Sequence, residues 1–573
     1  MKQTVSKATI ANWQRLGSTD KQLLHRANKT DSRRRIFPDK YVQNPANKQR
    51  IVELAKMVVD QNLDPDEFIL QLAASAVANS TTISLHNKER FLTEVGITRD
   101  DLLAFELDLA EPDFFGALYQ TLKAEGSRNK SGLYYTPYYV ADELLDQIKP
   151  EPGQDFLDPA AGTGIFLLEL NRRFGVALKH LHGKELDQTA VLLARANLML
   201  HSPANDQTYP DIQLVDYLQS PATTSYTTIV GNPPWGAKKK SAVPDSIFTK
   251  ADSFAYFVEK GLRELANGGK LGFVLPISFL NIAAHQTLRA LLLKTGTLKQ
   301  VTYLPNLFQG VVSDVVLLVV TKEEATEQTL ISFQKGSRVL QTPQNIYAQM
   351  PHLNLLPLAE LDRTILTQVW QQKDSDLSAS QWGLGIVTGN NKKHVLDQQH
   401  AGAEPLVTGK DIQPYSLKQP QHFLKFERKH FQQVARDALY RAPEKLVYKF
   451  INQRLVFAYD DQQLLTLNSA NLLVPAVPTH SAKTVLAFLN SQLFQYLYQL
   501  LFASAKILRG NLELLPFLSL NASEKNHLEA LVEQQLAGKQ SAALIDDFIF
   551  AKFGLTPVQV TRISEVLEQG VFG

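Results

Sequence analysis

QDFLDPAAGTGIFLLELNRR, residues 154–173, is the stretch on which the fold turns. QDFLD (154–158) is an apolar run of strand length, DPAAGTG (158–164) is a turn of small residues, and IFLLELNRR (165–173) has helical apolar spacing. A strand that passes through glycines into a helix is the opening unit of an α/β sheet. It leaves backbone N–H groups at the carboxyl edge of that sheet, where such folds bind nucleotides. Outward from it the same alternation recurs. Strands are expected at LHGKEL (181–186), IQLVD (212–216), TTIVGN (227–232), KLGFVLP (270–276), QVTYL (300–304) and VVLLVV (315–320), with helical stretches between. Seven strands in this order predict a mostly parallel α/β sheet with helices on both faces, and the short link LPNLFQGVVSD (304–314) predicts an antiparallel hairpin at its edge.

The rest of the chain divides by texture. Residues 1–125 read as a charged helical region, with RIVELAKMVVDQ (50–61) and PDEFILQLAASAVA (65–78) apolar at spacings of three and four. The α/β pattern sets a catalytic domain at 126–370, a mixed α+β region follows at 371–520, and a helical tail closes the chain at 521–573. A length of 573 residues suits several domains. No run approaches the roughly 20 apolar residues of a membrane span, and the N-terminus lacks the apolar stretch of a secretory signal, so a cytoplasmic protein without a membrane partner is expected. Cysteine is absent, which removes thiolate chemistry and zinc ribbons, and the 13 histidines show no paired spacing, so no metal site is expected.

The net charge is only +2, yet residues 381–517 hold 15 Lys and Arg against 9 Asp and Glu. Basic side chains interleaved with aromatics suit a surface that grips phosphates and packs on bases, and Lys445, Lys449 and Arg454 are taken as its phosphate contacts.

Three strand ends carry the chemistry. Glu185 closes the second strand about 20 residues past the glycine turn, where a carboxylate would accept from ribose hydroxyls. Asp216 closes the third, an acceptor for an adenine amino group, with the Tyr217 ring beside it to lie on the base. The fourth runs into GNPPW (231–235). Two prolines end the sheet in a rigid corner, in which the Asn232 side chain and the Pro233 carbonyl offer two acceptors to one NH2 group, with Pro234 fixing the turn and Trp235 giving a flat face for a base. That corner suits methylation of an exocyclic amine. Its lone pair is delocalised into the ring, and accepting both N–H bonds draws it toward tetrahedral geometry.

The ordered set YYTP (134–137), DPAAGTG, Glu185, Asp216-Tyr217, NPPW, NGGKLGFVLP (267–276) and LFQGVVSDVVLLVV (307–320) resembles the gamma-class adenine-N6 DNA methyltransferases, the TaqI-like group. GIVTGNN (385–391), EPLVTGKDIQPY (404–415) and TLNSANLL (466–473) are similar to their target-recognition domain. The resemblance implies a class I methyltransferase core that uses S-adenosyl-L-methionine and acts on an adenine flipped out of double-stranded DNA. Thr136 and Asp158, with Ala160, Gly162 and Gly164, would hold the methionine part, Glu185 the ribose, and Asp216 with Tyr217 the adenine. Phe308 matches the aromatic that faces the flipped base opposite Trp235. A nuclease in the same chain is not expected, because Pro65-Asp66-Glu67 lies in a helical context. Separate restriction or phage-defence subunits are the implied protein partners. Two other readings stay open: another amine substrate (cytosine N4, RNA or a protein amide), and a catalytically idle DNA-binding subunit of a restriction complex.

Overall fold

The computed structural model describes residue 42 and residues 44–103, 113–123, 136–222, 225–236, 238–240, 243–304, 314–504 and 506–572. The chain divides between Leu355 and Leu356, so that Ala27–Leu355 and Leu356–Gly573 belong to different compact units. The junction lies ahead of the expected residue 370.

In the first unit the described residues of the N-terminal region are largely helical, as expected. It comprises α1 (Pro45–Asp60), α2 (Pro65–Asn79), α3 (Leu85–Val95) and α4 (Phe114–Leu122). Each starts where a side chain takes up the orphan N–H groups: Asn44 accepts from Ala46 at 2.9 Å, Asp64 from Asp66 and Glu67 at 2.9 and 3.0 Å, and Asp113 from Gly116 at 2.8 Å. Pro65 sits at the first turn of α2, where its missing N–H costs nothing. Pro65-Asp66-Glu67 is thus a helix start.

The strands are β1 (Phe156–Asp158), β2 (Leu181–Glu185), β3 (Asp211–Leu214), β4 (Tyr226–Gly231), β5 (Leu265–Pro276), β6 (Thr297–Leu304), β7 (Val315–Thr321), β8 (Leu330–Lys335) and β9 (Arg338–Pro343). They form one sheet in the order β9-β8-β6-β7-β5-β4-β1-β2-β3. Helices α5 (Tyr138–Ile148), α6 (Ile165–Phe174), α7 (Gln188–His201) and α8 (Ser253–Glu264) lie in its connections. All seven expected strands are present, with two corrections. Strands β6 and β7 pair antiparallel as expected, but β7 does not form an edge: it lies between β5 and β6, antiparallel to both and buried along its whole length. The edge is made instead by the β8–β9 hairpin, turned at Gly336 with φ +60°, and β8 alternates Ile331 and Phe333 inward.

The N-terminal helices are not a separate body. Ile51, Leu54, Leu72, Phe91, Phe115 and Leu118 share one hydrophobic core with Leu192, Leu193, Ala196 and Met199 of α7. An amphipathic helix must bury its apolar stripe, and here the covering surface is the outside of the sheet's own helical layer.

The second unit holds two four-stranded sheets, one of Gln381–Gly383, Ala470–Val474, Lys445–Lys449 and Phe457–Asp460, the other of Val395–Leu396, His422–Leu424, Glu404–Val407 and Leu465–Thr466. Around them run α9 (Glu360–Gln372), α10 (Ala482–Asn490), α11 (Gln492–Phe502), α12 (Ala522–Leu536), α13 (Ala542–Lys552) and α14 (Pro557–Gln569). The expected tail is therefore helical but integral to this unit. Asp362 of α9, wholly buried, accepts from Arg562 Nε and Nη2 of α14 at 2.9 and 2.8 Å and from the Tyr496 hydroxyl of α11 at 2.8 Å.

Candidate active site

At the carboxyl ends of β1, β2 and β4 the expected residues converge. Asp158 is fully buried, and its Oδ1 accepts from the Ala160 N–H at 3.0 Å. Gly231, at the end of β4, allows this: a Cβ there would stand 2.6 Å from Asp158 Oδ1. Gly164 opens α6 at φ +89°, and a side chain on it would press on Ala194. Burial, reinforced by the Glu185 charge, pushes the Asp158 carboxyl up to about 8.

Glu185 is nearly as buried, and its carboxylate organises two loops. Oε2 accepts from Gly162 N–H at 2.8 Å, while Oε1 accepts from Leu186 and Asp187 N–H at 2.7 and 3.0 Å. Burial raises its pKa, and those three donors oppose the rise. A carboxylate has about four acceptor positions, so one remains for an outside hydroxyl. Asp216 Oδ1 accepts from Leu218 N–H at 3.0 Å, which closes a turn after β3 and fixes that carboxylate.

The GNPPW corner is held from two sides. Asn232 Nδ2 donates to Thr136 Oγ1 at 3.1 Å, which sets the orientation of the amide and makes its oxygen the end that faces away from Thr136. The Pro234 carbonyl accepts from Ser253 Oγ, and Gly236 N–H donates to Asp252 Oδ1 at 2.9 Å. Trp235 is buried in this clamp. Phe308 lies outside the described residues.

Two assignments from sequence are corrected here. Tyr217 does not offer its ring to a ligand. It is buried, 5.3 Å from the Phe257 ring, with the Lys184 and Lys260 ammonium groups 5.3 and 4.8 Å from its centroid; burial and the Glu264 charge hold its hydroxyl well above its ordinary pKa. Lys445 is no phosphate contact either. It is fully buried, 2.7 Å from Asp460 Oδ2, and donates to the Tyr440 carbonyl at 2.8 Å. Lys449 is half-buried on the same strand, and exposed Arg454 donates to the Leu567 carbonyl at 3.0 Å, near the end of α14. The strand lies inside its sheet with Lys445 to Tyr448 all buried, and charge counting does not register burial.

The structure also adds residues that motif reading missed. Leu186 directly follows Glu185 and is 62% exposed, an apolar surface beside the carboxylate where the sequence had offered Tyr217. Helix α4 braces both loops of the site. At its start buried Asp113 accepts from Thr163 Oγ1 and Asn197 Nδ2, each at 2.8 Å, and Asn197 also donates to the Thr163 carbonyl at 2.9 Å. Farther along, the Tyr119 hydroxyl donates to Asp187 Oδ2 at 2.7 Å. Burial lifts Asp113 to about 6. The signal for this was EPDFFGALYQ (111–120), an acid one residue before a helix, whose distant partners no spacing rule reveals.

The residues fit S-adenosyl-L-methionine. Asp158 Oδ2 is a buried oxygen with no hydrogen-bond partner among the described residues, which suits an ammonium group. Glu185 retains acceptor capacity for a ribose, and Leu186 presents an apolar face for a base.

Comparison with known proteins agrees. Residues 110–381 match the N-6 DNA Methylase family, and residues 404–517 match the TaqI-like C-terminal specificity domain. The Type II methyltransferase M.VspI of Vibrio sp. (strain 343) is 28% identical over 315 residues, 52% of this chain and 75% of its own length. The methylase subunit of the Type I restriction enzyme EcoEI of Escherichia coli is 26% identical over 216 residues, 34% of this chain and 43% of that subunit. In fold, the Type IIL restriction-modification enzyme MmeI, solved in complex with DNA, matches with a TM-score of 0.61 at 12% identity, over 92% of this chain and 99% of that one. With both segments in place on this fold, the chain carries an N-6 DNA methylase domain followed by a TaqI-like C-terminal specificity domain, and its relatives are restriction-modification methyltransferases.

Proposed function

We propose that this protein transfers a methyl group from S-adenosyl-L-methionine to the N6 amine of an adenine rotated out of double-stranded DNA. The observation that carries the reading is the Asn232 amide, oriented by Thr136 at the end of β4 in a corner clamped through Pro234 and Gly236. An exocyclic amine is a poor nucleophile, and an oriented acceptor makes it a better one. Asn232 Oδ1 and the Pro233 carbonyl accept its two N–H bonds and draw the lone pair out of conjugation, while Trp235 and the proline corner keep that arrangement rigid.

The cofactor supplies an electrophilic methyl group when bound. Asp158 and the glycine loop receive its amino-acid part, Glu185 its ribose, and Leu186 and Asp216 its base. The adenine must leave the stack to reach this corner, which makes DNA the larger ligand. Incubation of the purified chain with labelled cofactor and a plasmid library, followed by digestion to nucleosides, tests the reading. N6-methyladenine is the expected product. N4-methylcytosine, or no labelled nucleoside at all, would overturn it.

A further inference from the structure

Lys445 is buried and cannot contact DNA, so the basic face of the second unit is sought among its exposed side chains. A cleft of about 490 Å³ opens in this unit beside the edge strand Gln381–Gly383. Gln381 and Trp382 line one side, Gln433 and Arg436 the other, with Arg509 among the lining residues. Its chemistry is unusual for a surface cleft. Trp382 packs edge-on against Tyr448, with ring centroids 6.1 Å apart, and its indole N–H has no hydrogen-bond partner among the described residues. Arg436 is exposed and makes no ion pair or side-chain hydrogen bond among them. Arg509 is exposed and ion-paired through its Nε with Glu513 at 2.7 Å, and its terminal NH2 groups make no hydrogen bond among the described residues.

The cleft continues into a basic rim along one strip of chain. Val387 N–H donates to the Gln433 carbonyl at 2.9 Å and Gln432 N–H to the Val387 carbonyl at 2.8 Å, which binds 428–436 to the turn at 388–394. The two turns then meet side chain to side chain: the His394 ring stacks on His430 at 6.2 Å and meets Phe431 edge-on at 5.9 Å. This brings together Lys392, Lys393, Lys425, Lys429 and Arg436, while Arg428 is taken up by Asp437 and the Ala435 carbonyl and Glu427 lies beside His430. Lys392, Lys393, Lys425 and Lys429 are all exposed.

We infer that double-stranded DNA lies on this surface, with base edges read in the cleft by Gln433, Arg436 and Arg509 and the flanking phosphodiesters held by the Lys392/Lys393 turn. Glutamine pairs in bidentate fashion with adenine and arginine with guanine, whereas lysines on mobile stems neutralise phosphate without regard to sequence. The inference rests on the reading of the chain as a DNA methyltransferase and assigns the residues that choose its site.

Two sets of variants of the full chain test it. Arg436→Ala and Gln433→Ala, each made singly, are used to methylate a randomised DNA library that is then sequenced for modified bases. Each is expected to make one position of the recognised sequence degenerate, with discrimination there falling about tenfold or more. The double variant Lys392→Ala/Lys393→Ala should keep the recognised sequence but weaken DNA binding uniformly, with the log–log salt slope shallower by about two. Unchanged sequence preference together with an unchanged salt slope would overturn the inference, as would sequence changes from the lysine pair alone. The salt titration requires no methyl transfer. A chain that binds DNA through Lys392 and Lys393 yet methylates nothing would sink the proposed function and leave the surface standing. Thermal midpoints matching the parent protein confirm that these substitutions leave folding intact.

Discussion

If Asp158 receives the ammonium group of the cofactor, as proposed, binding should release a proton. Its carboxyl is pushed up to about 8, first by burial and then by the Glu185 charge. At pH 7 such a group is protonated in about nine molecules of ten. An ammonium group placed against it favours the carboxylate, so binding should expel most of a proton at pH 7, and affinity should climb with pH up to about 7 and then flatten as the carboxyl and the ligand's own α-amine, ordinarily near 8, both titrate. The sign for stability is opposite. A carboxyl whose folded pKa exceeds its ordinary 3.8 contributes stability below that value, and the contribution is lost as pH rises toward about 8, so the ligand should protect the protein more at about pH 7 than at about pH 6. Titration calorimetry at pH 7 in two buffers of different ionisation enthalpy counts the protons, and a series from pH 6 to 9 gives the slope. Asp113, raised to about 6, titrates at the lower end of that range, so the comparison that isolates Asp158 is Asp158→Asn, which should flatten the slope below about pH 7. A parent protein that releases no proton and binds with a flat profile would refute the reasoning.

Asn232→Ala should lower methyl transfer by about 10²–10³-fold, the usual loss for one preorganised group acting in the transition state, while calorimetric cofactor affinity stays close to the parent value. Tyr119→Phe removes a hydrogen bond to a charged group and should raise the KM for S-adenosyl-L-methionine with kcat unchanged at saturation; an equal fall in both would place the hydroxyl's role elsewhere. Glu185→Ala strands three backbone N–H groups as well as removing the ribose acceptor, and should weaken cofactor binding by about 1–3 kcal/mol with little change in DNA affinity measured without cofactor. Lys445→Ala leaves Asp460 buried without its partner and should cost about 3–5 kcal/mol in denaturant unfolding, with the salt dependence of DNA binding unmoved if the protein is still folded.

The strand ends were legible because each is a local event. A carboxylate at the end of an apolar run, a glycine turn before a helix and a double proline after a strand each declare themselves within a few residues. Asp158, Glu185 and Asn232 were found that way, and the structure brings them together. What escaped was set by partners far along the chain. Tyr217 looks from sequence like a ring at a strand end, but α8 supplies Phe257, Lys260 and Glu264 to enclose it. The insertion of β7 between β5 and β6 is likewise a matter of pairing, which the composition of VVLLVV does not encode. Lys445 was misassigned because a lysine counts as a charge whether it is exposed or, as here, buried against Asp460.

The buried Asp362–Arg562 pair has a bearing on how such enzymes exchange specificities. Its two halves lie 200 positions apart in sequence, one just past the Leu355/Leu356 junction and the other close to the end of the chain. A recombination point at residue 370, or a splice that discards the last helices, would carry off one half and strand the other charge in a dry interior, a penalty of about 3–5 kcal/mol that is a large share of an ordinary domain's stability. The module that can be inherited or transplanted whole therefore begins near Leu356 and includes the C-terminal helices. Chimeras cut there should fold, and those cut at the apparent linker should not.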